Sequence, residues 1–454
     1  MSTSSYKNFY MTEGFLARAQ YDYDGKYFAS TSFRRDASSR FAPGHRWGNF
    51  WSIGGAWLIS QEDFMSGASW VDMLKFKISY GQQGNDDLGQ GFYPYSDQYE
   101  HSYNEDTKEF SIGLSYKGNE DITWETHNDF NTGFDFELFR GRLNGNIEYF
   151  NNVTKDMLYM KNVPLSAGNP TGRVPINVGD MRNAGFEVSL DGYIIRNKNV
   201  TWTWNANASH YKNTILSLDE SVSENGIKGS NYIWKVGGSS YDTYMYRFAG
   251  VDPENGRAQY WKHDDETGED SKTYIFDEAT QYELGTIIPK IFGGFGTNLN
   301  AYGFDFSAQF SYQLGGKYYD GNYQQLMWTQ SSAGQAWHKD ALKAWTPENT
   351  NTDVPRLDGD TQVSQSNVDR FLISSNYLSI NNVTLGYTFP STLTKKLQLG
   401  GLRVYVAGEN LAVFTARKGL DPRDSFAIGG FTSDRGTSSY STMRTITGGI
   451  TLTF

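Results

Sequence analysis

The sequence has no cysteine. No disulfide can brace it, and no thiolate can act as nucleophile or metal ligand. Long apolar runs are also missing. Nothing approaches the ~18 consecutive apolar residues of a membrane helix. That exclusion does not reach a membrane β-barrel, whose strands are apolar only at alternate positions. Basic charge is in deficit, with 40 Lys and Arg against 51 Asp and Glu and a net charge of -11. A phosphate backbone needs a basic surface, so nucleic acid is excluded as a partner. Proline is scarce, at 11 residues in 454. The opening MSTSSYKNFYMTEG lacks the basic stretch and apolar run of a signal peptide.

Catalytic patterns are missing as well. The 6 histidines, at 45, 101, 127, 210, 263 and 338, are isolated from one another. No HExxH, CxxC or GxSxG elbow occurs. The GGFG stretch falls inside a strand pattern and is no phosphate loop. The acidic run from His263 through Asp264, Asp265 and Glu266 to Glu269 and Asp270 is the best cation candidate. It lacks the spacing of a calcium loop and reads as a solvated loop. No catalytic, cofactor or metal site is expected, and the chain does not read as an enzyme.

What is abundant is aromatic and strand-forming. Phe, Trp and Tyr make up 16% of the chain, and 48 glycines are available for turns. Apolar and polar residues alternate with period two. Phe15, Ala17, Ala19, Tyr21 and Tyr23 oppose Arg18, Gln20 and Asp22. Leu74, Phe76, Ile78 and Tyr80 oppose Lys75, Lys77 and Ser79. The same pattern sets Phe134 and Phe136 against Asp135 and Glu137, and Phe186 and Val188 against Glu187. It recurs for Trp202 and Trp204 against Thr201 and Thr203, and for Phe306 and Phe310 against Asp305 and Ser307. About 13 such segments occur, each near the ~9–11 residues of a tilted membrane strand.

Connections alternate too. Short turns are expected at Asp24-Gly25, Arg140-Gly141, 196–199 and Ala301-Tyr302. Long polar loops are expected at 35–49, 82–121, 152–183, 211–289, 315–374 and 414–443. The stretches 60–72 and 390–401 read as longer turns on the short-turn side, the second as a short helix. Tyr244 to Gly250 and Arg257 to Trp261 read as strands within a long loop. Short turns at one end and long loops at the other are the outer-membrane pattern, with the long loops outside the cell. The predicted fold is an all-β, transmembrane antiparallel β-barrel. A large soluble sandwich or propeller would also alternate, but it does not require this order of connections.

Facing follows from the alternation. Arg34, Lys75, Lys77, Asp135, Glu137, Glu148 and Glu187 are expected to line the lumen. Phe76, Ile78, Phe134, Trp202, Trp204, Phe306 and Phe310 are expected to face lipid. The chain ends RTITGGITLTF, with Ile446, Ile450, Leu452 and Phe454 on one face. An odd strand count cannot close antiparallel, and an open sheet leaves unpaired backbone in hydrocarbon. Further strands are therefore expected before Met1.

Several stretches carry a resemblance. They are YDYDGKYFASTSFRRDASSRFAPGHRWGNFWSIGGAWLISQEDF (21–64), LKFKISYGQQGN (74–85), FAGVDPENGRAQYW (248–261), PKIFGGFGTNL (289–299), GFDFSAQFSYQLGGKYYD (303–320), WTPENTNTDVPRL (345–357), YLSINNVTLGYTFP (377–390) and LRVYVAGENLAVFTARKGLDPR (402–423). In order and spacing they resemble the C-terminal barrel of SusC/RagA-like TonB-dependent transporters, over almost the whole chain. The resemblance implies the last ~13 strands of a 22-stranded barrel, in the cell outer membrane. It implies uptake of oligosaccharides or peptides under a SusD-like surface lipoprotein, driven by TonB acting on a plug. The plug, TonB box and signal peptide have no counterpart in 1–454. It also implies that the final aromatic Phe454 is read by the barrel assembly machinery. Tyr318, Tyr319, Tyr323, Trp328 and Trp337 stand beside amides in a long loop and are candidates for substrate or lid contact, or for packing of the loops themselves. A passive porin and a soluble carbohydrate-binding β-protein remain the alternatives.

Overall fold

The computed structural model describes residues 7–454 apart from 90, 105, 328–333, 335, 358–366, 417–420 and 424–441. Thirteen strands form one antiparallel sheet in strict chain order. They are β1 (Thr12–Tyr23), β2 (Tyr27–Ser38), β3 (Trp47–Leu58), β4 (Val71–Asn85), β5 (Glu125–Leu138), β6 (Leu143–Lys155), β7 (Gly179–Arg196), β8 (Val200–Leu218), β9 (Ile291–Ala301), β10 (Phe304–Leu314), β11 (Tyr377–Thr388), β12 (Gly401–Thr415) and β13 (Thr445–Thr453). Among the described residues no helix is long and apolar enough to cross a membrane. The chain divides into two compact units, residues 1–190 with 211–226 and 235–238, and residues 191–210 with 227–234 and 239–454.

In the first unit the pairing register sorts side chains by polarity. Phe28 pairs with Ala56, Ala56 with Lys77, Lys77 with Gly133 and Gly133 with Glu148. Lys75 lies opposite Asp135, and Arg34 opposite Phe50, on that same face. Lys77 reaches Asp135 diagonally at 2.7 Å. The other face joins Trp57 to Phe76, Phe76 to Phe134 and Phe134 to Ile147. The rings of Phe76 and Phe134 are 5.2 Å apart. Phe186 meets Tyr149 on this apolar side at 5.0 Å, which leaves Glu187 on the polar one.

The second unit repeats the division. Trp202 pairs with Leu299, Leu299 with Phe306, Phe306 with Leu385 and Leu385 with Val406. Phe310 stacks on Phe295 at 4.8 Å. The indole N–H of Trp202 donates to Thr297 Oγ1 at 2.7 Å, so this apolar row carries its polar atom satisfied. Opposite, Asp305 binds Arg403 at 2.9 Å across β11. They meet over Gly386, where a Cβ would stand 2.5 Å from both Asp305 carboxylate oxygens and 2.6 Å from Arg403. Gly293 and Gly296 likewise admit close neighbours, since a Cβ there would lie 2.1 Å from Asn207 O and from Gln309 Oε1.

The apolar rows are open. Ile53 is 57% exposed, Phe186 55%, Leu385 48% and Val406 48%. Fully buried side chains sit instead in the connections and at the strand ends they leave, among them Phe41, Ile122, Ile215, Ile233, Met245, Tyr260 and Phe371. The barrel strands thus leave their hydrophobic rows uncovered, where a soluble sandwich would bury them.

Connections alternate in length as expected except around β3, where 39–46 on the long-loop side is shorter than 59–70 on the short-turn side. The β9–β10 turn is Tyr302-Gly303, one residue later than expected, with φ 52° and 90°. That pair suits the tight hairpin geometry with two left-handed residues. Strands overrun several expected loops. β2 continues to Ser38 and β3 begins at Trp47, so only 39–46 connects them. β8 continues to Leu218. Arg35 therefore belongs to β2, on the apolar side, where its guanidinium lies over Trp47 at 4.9 Å. Arg35 sits near the end of β2, where a long side chain can reach water. The 390–401 turn is helical over Ser391–Thr394, and Asp242–Tyr246, Phe248–Val251 and Ala258–His263 are strands outside the main sheet. Pro347 sits in a turn between Thr346 and Asn349, past the end of the helical turn Lys339–Lys343.

Candidate functional site

The longest connections fold into structure of their own. Between β8 and β9, Asp242–Tyr246 pairs with Gln281–Thr286, and Phe248–Val251, Ala258–His263 and Asp270–Thr273 make a three-stranded sheet. Their core of Ala258 and Tyr260 is completed by Val368, which belongs to the connection between β10 and β11. Tyr246, Phe248 and Phe276 pack around it, with Phe276 4.4 Å from Tyr246 and 5.1 Å from Tyr260.

Polar bonds hold the two connections together. Tyr246 N–H donates to Asn367 O at 2.9 Å and Phe248 N–H to Asp369 Oδ1 at 2.8 Å. Trp345 Nε1 donates to Pro253 O at 3.1 Å. Arg356 donates its backbone N–H to Gly256 O and its guanidinium to Asn255 O, each at 2.9 Å. Gly256 has φ 74°, and a Cβ there would lie 2.5 Å from the Trp345 ring. Only glycine meets both the left-handed backbone and the contact. Asp252 organises this turn, accepting from Glu254 N–H at 2.9 Å, Asn255 Nδ2 at 2.8 Å and the Tyr274 hydroxyl. Those donors, Tyr274 foremost, hold its carboxyl below the usual carboxylate range.

The candidate aromatics divide here. Tyr319 and Tyr323 pack against a second cluster of Met327, Ala344, Val354 and Phe371. The Tyr319 hydroxyl accepts from Asn367 N–H at 3.3 Å, and the Tyr323 hydroxyl donates to Asp340 at 3.1 Å. Burial pushes both phenols up to about 12. Asp320 caps the helix Gly321–Leu326 by accepting from Tyr323 N–H at 2.9 Å. Tyr318 is half-buried in the short pairing of Lys317–Tyr319 with Leu372–Ser374. Trp337 is 46% exposed. Trp328 lies outside the described residues. Phe454 stands exposed just past β13.

The acidic run in 263–270 forms a hairpin turn. Asp264 accepts from Glu266 and Thr267 N–H at 2.9 and 3.1 Å, and His263 pairs with Asp270 at 2.8 Å. Among the described residues no group of three or more metal-ligating side chains converges.

In the first unit a smaller cluster lies on the polar face. The Phe50 ring occupies the space that a Cβ at Gly48 or Gly84 would need, at 2.4 and 2.0 Å. Trp124 meets Phe50 edge-on at 5.5 Å and Phe41 at 5.3 Å, while its indole donates to Arg46 O at 3.0 Å. A groove beside it is lined by Arg34, Asp36, Ser52, Gln83, Asp129 and Asn131. Phe50 sits in a position that alternation assigns to a polar residue. Gly48, two residues before it, and Gly84, on the neighbouring strand, leave room for the ring.

The sheet has a polar face and an exposed apolar face, and its longest connections carry folded structure of their own. The model of the TonB dependent receptor-like β-barrel family matches residues 2–411. The chain belongs to this family. SusC, a TonB-dependent receptor of Bacteroides thetaiotaomicron, is 26% identical over 437 residues, covering 90% of this chain and 41% of that protein. A TonB-dependent receptor of Formosa agariphila is 28% identical, covering 94% of this chain and 43% of its own length. Among solved structures, the RagAB peptide importer in its closed-closed state superposes with a TM-score of 0.78 at 27% identity, covering 98% of this chain and 48% of that one. The RagAB peptide transporter matches with a TM-score of 0.77 at 29% identity, covering 91% of this chain and 45% of that one. This TonB-dependent receptor chain is thus SusC/RagA-like, and it spans less than half the length of the curated relatives it matches.

Proposed function

We propose that the chain forms the wall, polar lining and outer loops of a TonB-dependent importer in a bacterial outer membrane. The cargo is peptide, the class carried by the RagAB relative, or oligosaccharide, the other class that the family resemblance implies. In the whole protein TonB drives a plug domain, and a SusD-like lipoprotein closes over the loops. The chain itself performs no bond chemistry. The observation that carries this reading is the two-faced sheet, whose aromatic and aliphatic rows are exposed along the strands while its charges pair on the opposite face. Apolar rows of this kind need lipid to cover them. Trp337 and Tyr318, with Trp328, are the candidates for touching cargo or lid.

The test uses the full-length gene in its own host. Deletion should abolish uptake of labelled maltohexaose or of a labelled tryptic peptide mixture, and the intact gene should restore it. Loss of TonB should have the same effect as the deletion. Uptake that survives TonB loss would instead identify a passive pore. Recovery of the protein in the soluble fraction would refute the membrane reading altogether.

A further inference from the structure

Arg370 occupies the helical turn Asp369–Phe371, where the two long connections meet. Its guanidinium carbon stands 5.2 Å from the ring centre of Phe248 and 5.5 Å from that of Phe371. One ring packs on the core around Tyr260, the other belongs to the cluster around Met327. Ring faces attract a cation but accept no conventional hydrogen bond from its five N–H donors. Among the described residues no hydrogen bond and no ion pair within 4.0 Å reaches the Arg370 guanidinium. The nearby acids are otherwise placed. Asp369 accepts from Phe248 N–H at 2.8 Å, and Asp340 is held by Tyr323 at 3.1 Å and Lys343 at 2.8 Å. Asp353 is exposed and acts on Arg370 only from beyond ion-pair distance. Burial pulls the Arg370 pKa down, with Asp353, Tyr323 and Tyr260 partly opposing.

A half-buried cation without a bonded anion is an expensive arrangement. The geometry points to Arg370 as the binding site for a carboxylate on a ligand, gripped through parallel N–H···O bonds between the flanking rings of Phe248 and Phe371. Arginine is the residue suited to that fork-to-fork contact, and removal of bulk water from its sides strengthens the bond. The carboxylate has two natural sources, the C-terminus of a peptide or the uronic acid of an acidic sugar. This site goes beyond the import reading, because it concerns a charge on the ligand rather than its passage.

The experiment is calorimetric titration of the detergent-purified full-length receptor with trialanine, trialanine amide, trigalacturonate and maltotriose. At least one carboxylate probe should bind more tightly than its uncharged counterpart, and Arg370→Gln should weaken that probe at least ~10-fold while leaving the counterpart unchanged. Arg370→Lys should fall between, keeping the charge and losing the fork. Preference for trialanine over its amide assigns peptide termini, and preference for trigalacturonate over maltotriose assigns acidic sugars. Equal binding within both pairs, no binding of either carboxylate probe, or an unchanged affinity in Arg370→Gln would overturn the proposal. Where Arg370→Gln fails to fold, competition decides on the wild-type protein. Acetate should displace the carboxylate probe, and failure to do so overturns the site. Lost uptake with retained carboxylate binding would sink the import reading alone.

Discussion

Individual glycines explain much of why the sequence carries its landmarks. Gly386, in the stretch LGYTF, keeps a corridor open for the Asp305–Arg403 pair. Gly386→Ala should force that pair apart and destabilise the barrel by about 1–3 kcal/mol, as overpacking does. The shift is read as a lower urea midpoint of the detergent-solubilised protein, and an unchanged midpoint would remove the corridor argument. Asp252 acts at the same scale. Its folded pKa is depressed, so its contribution is fully present above the unfolded value near ~3.9 and is lost as pH falls through the lower folded value. Protection of the Glu254 and Gly256 amides against hydrogen exchange should therefore collapse below about pH 4. Asp252→Asn should flatten that dependence, and a collapse that persists in the variant would assign it to another group.

At the scale of the strand, facing can be tested directly. Phe306 pairs with Leu299 and Leu385 on the apolar side, and Ser307 with Asn298 and Thr384 on the polar one. Phe306→Arg should cost about 2–4 kcal/mol if it lies near the bilayer midplane, and Ser307→Arg much less. Ser307 is a better control than its neighbour Asp305, whose replacement would also break the bond to Arg403. Equal tolerance at both positions would mean that the rows do not divide lipid from water. The rows themselves were legible in the sequence, because a period of two survives any uncertainty about strand ends. The ends were not. Ladder bonds continue through Ser38 and Leu218, where side chains no longer need to alternate, so the pattern fades before the strand does.

For the whole molecule, the landmarks quoted from separate parts of the chain prove to be partners in contact. RWGNF meets SYGQQGN through Phe50, and DPENG meets WTPEN through Gly256 and Trp345. Order and spacing were visible in the sequence, whereas their touching was not, because it depends on long-range pairing. The loop aromatics show the same limit. Tyr319 and Tyr323 support the fold of the loops, and nothing in their spacing separated them from the exposed Trp337. Phe454, the proposed barrel-assembly signal, carries a prediction at this scale. Phe454→Ala in the full-length protein should lower the amount recovered in the outer membrane several-fold while leaving the properties of the assembled fraction unchanged. Equal recovery would show that this aromatic is not needed for insertion.

The shared core of Tyr260 with Val368, and the bonds from Phe248 to Asp369 and from Arg356 to Gly256, have a consequence for engineering. Residues 242–286 and 317–374 are one inheritable module written in two pieces. A chimera that transplants either piece alone from a relative would expose half of a broken core and strand several donors. Specificity should therefore transfer between relatives only when both segments travel together, and homologues should tolerate recombination breakpoints between β9 and β10 only where both flanks share a parent.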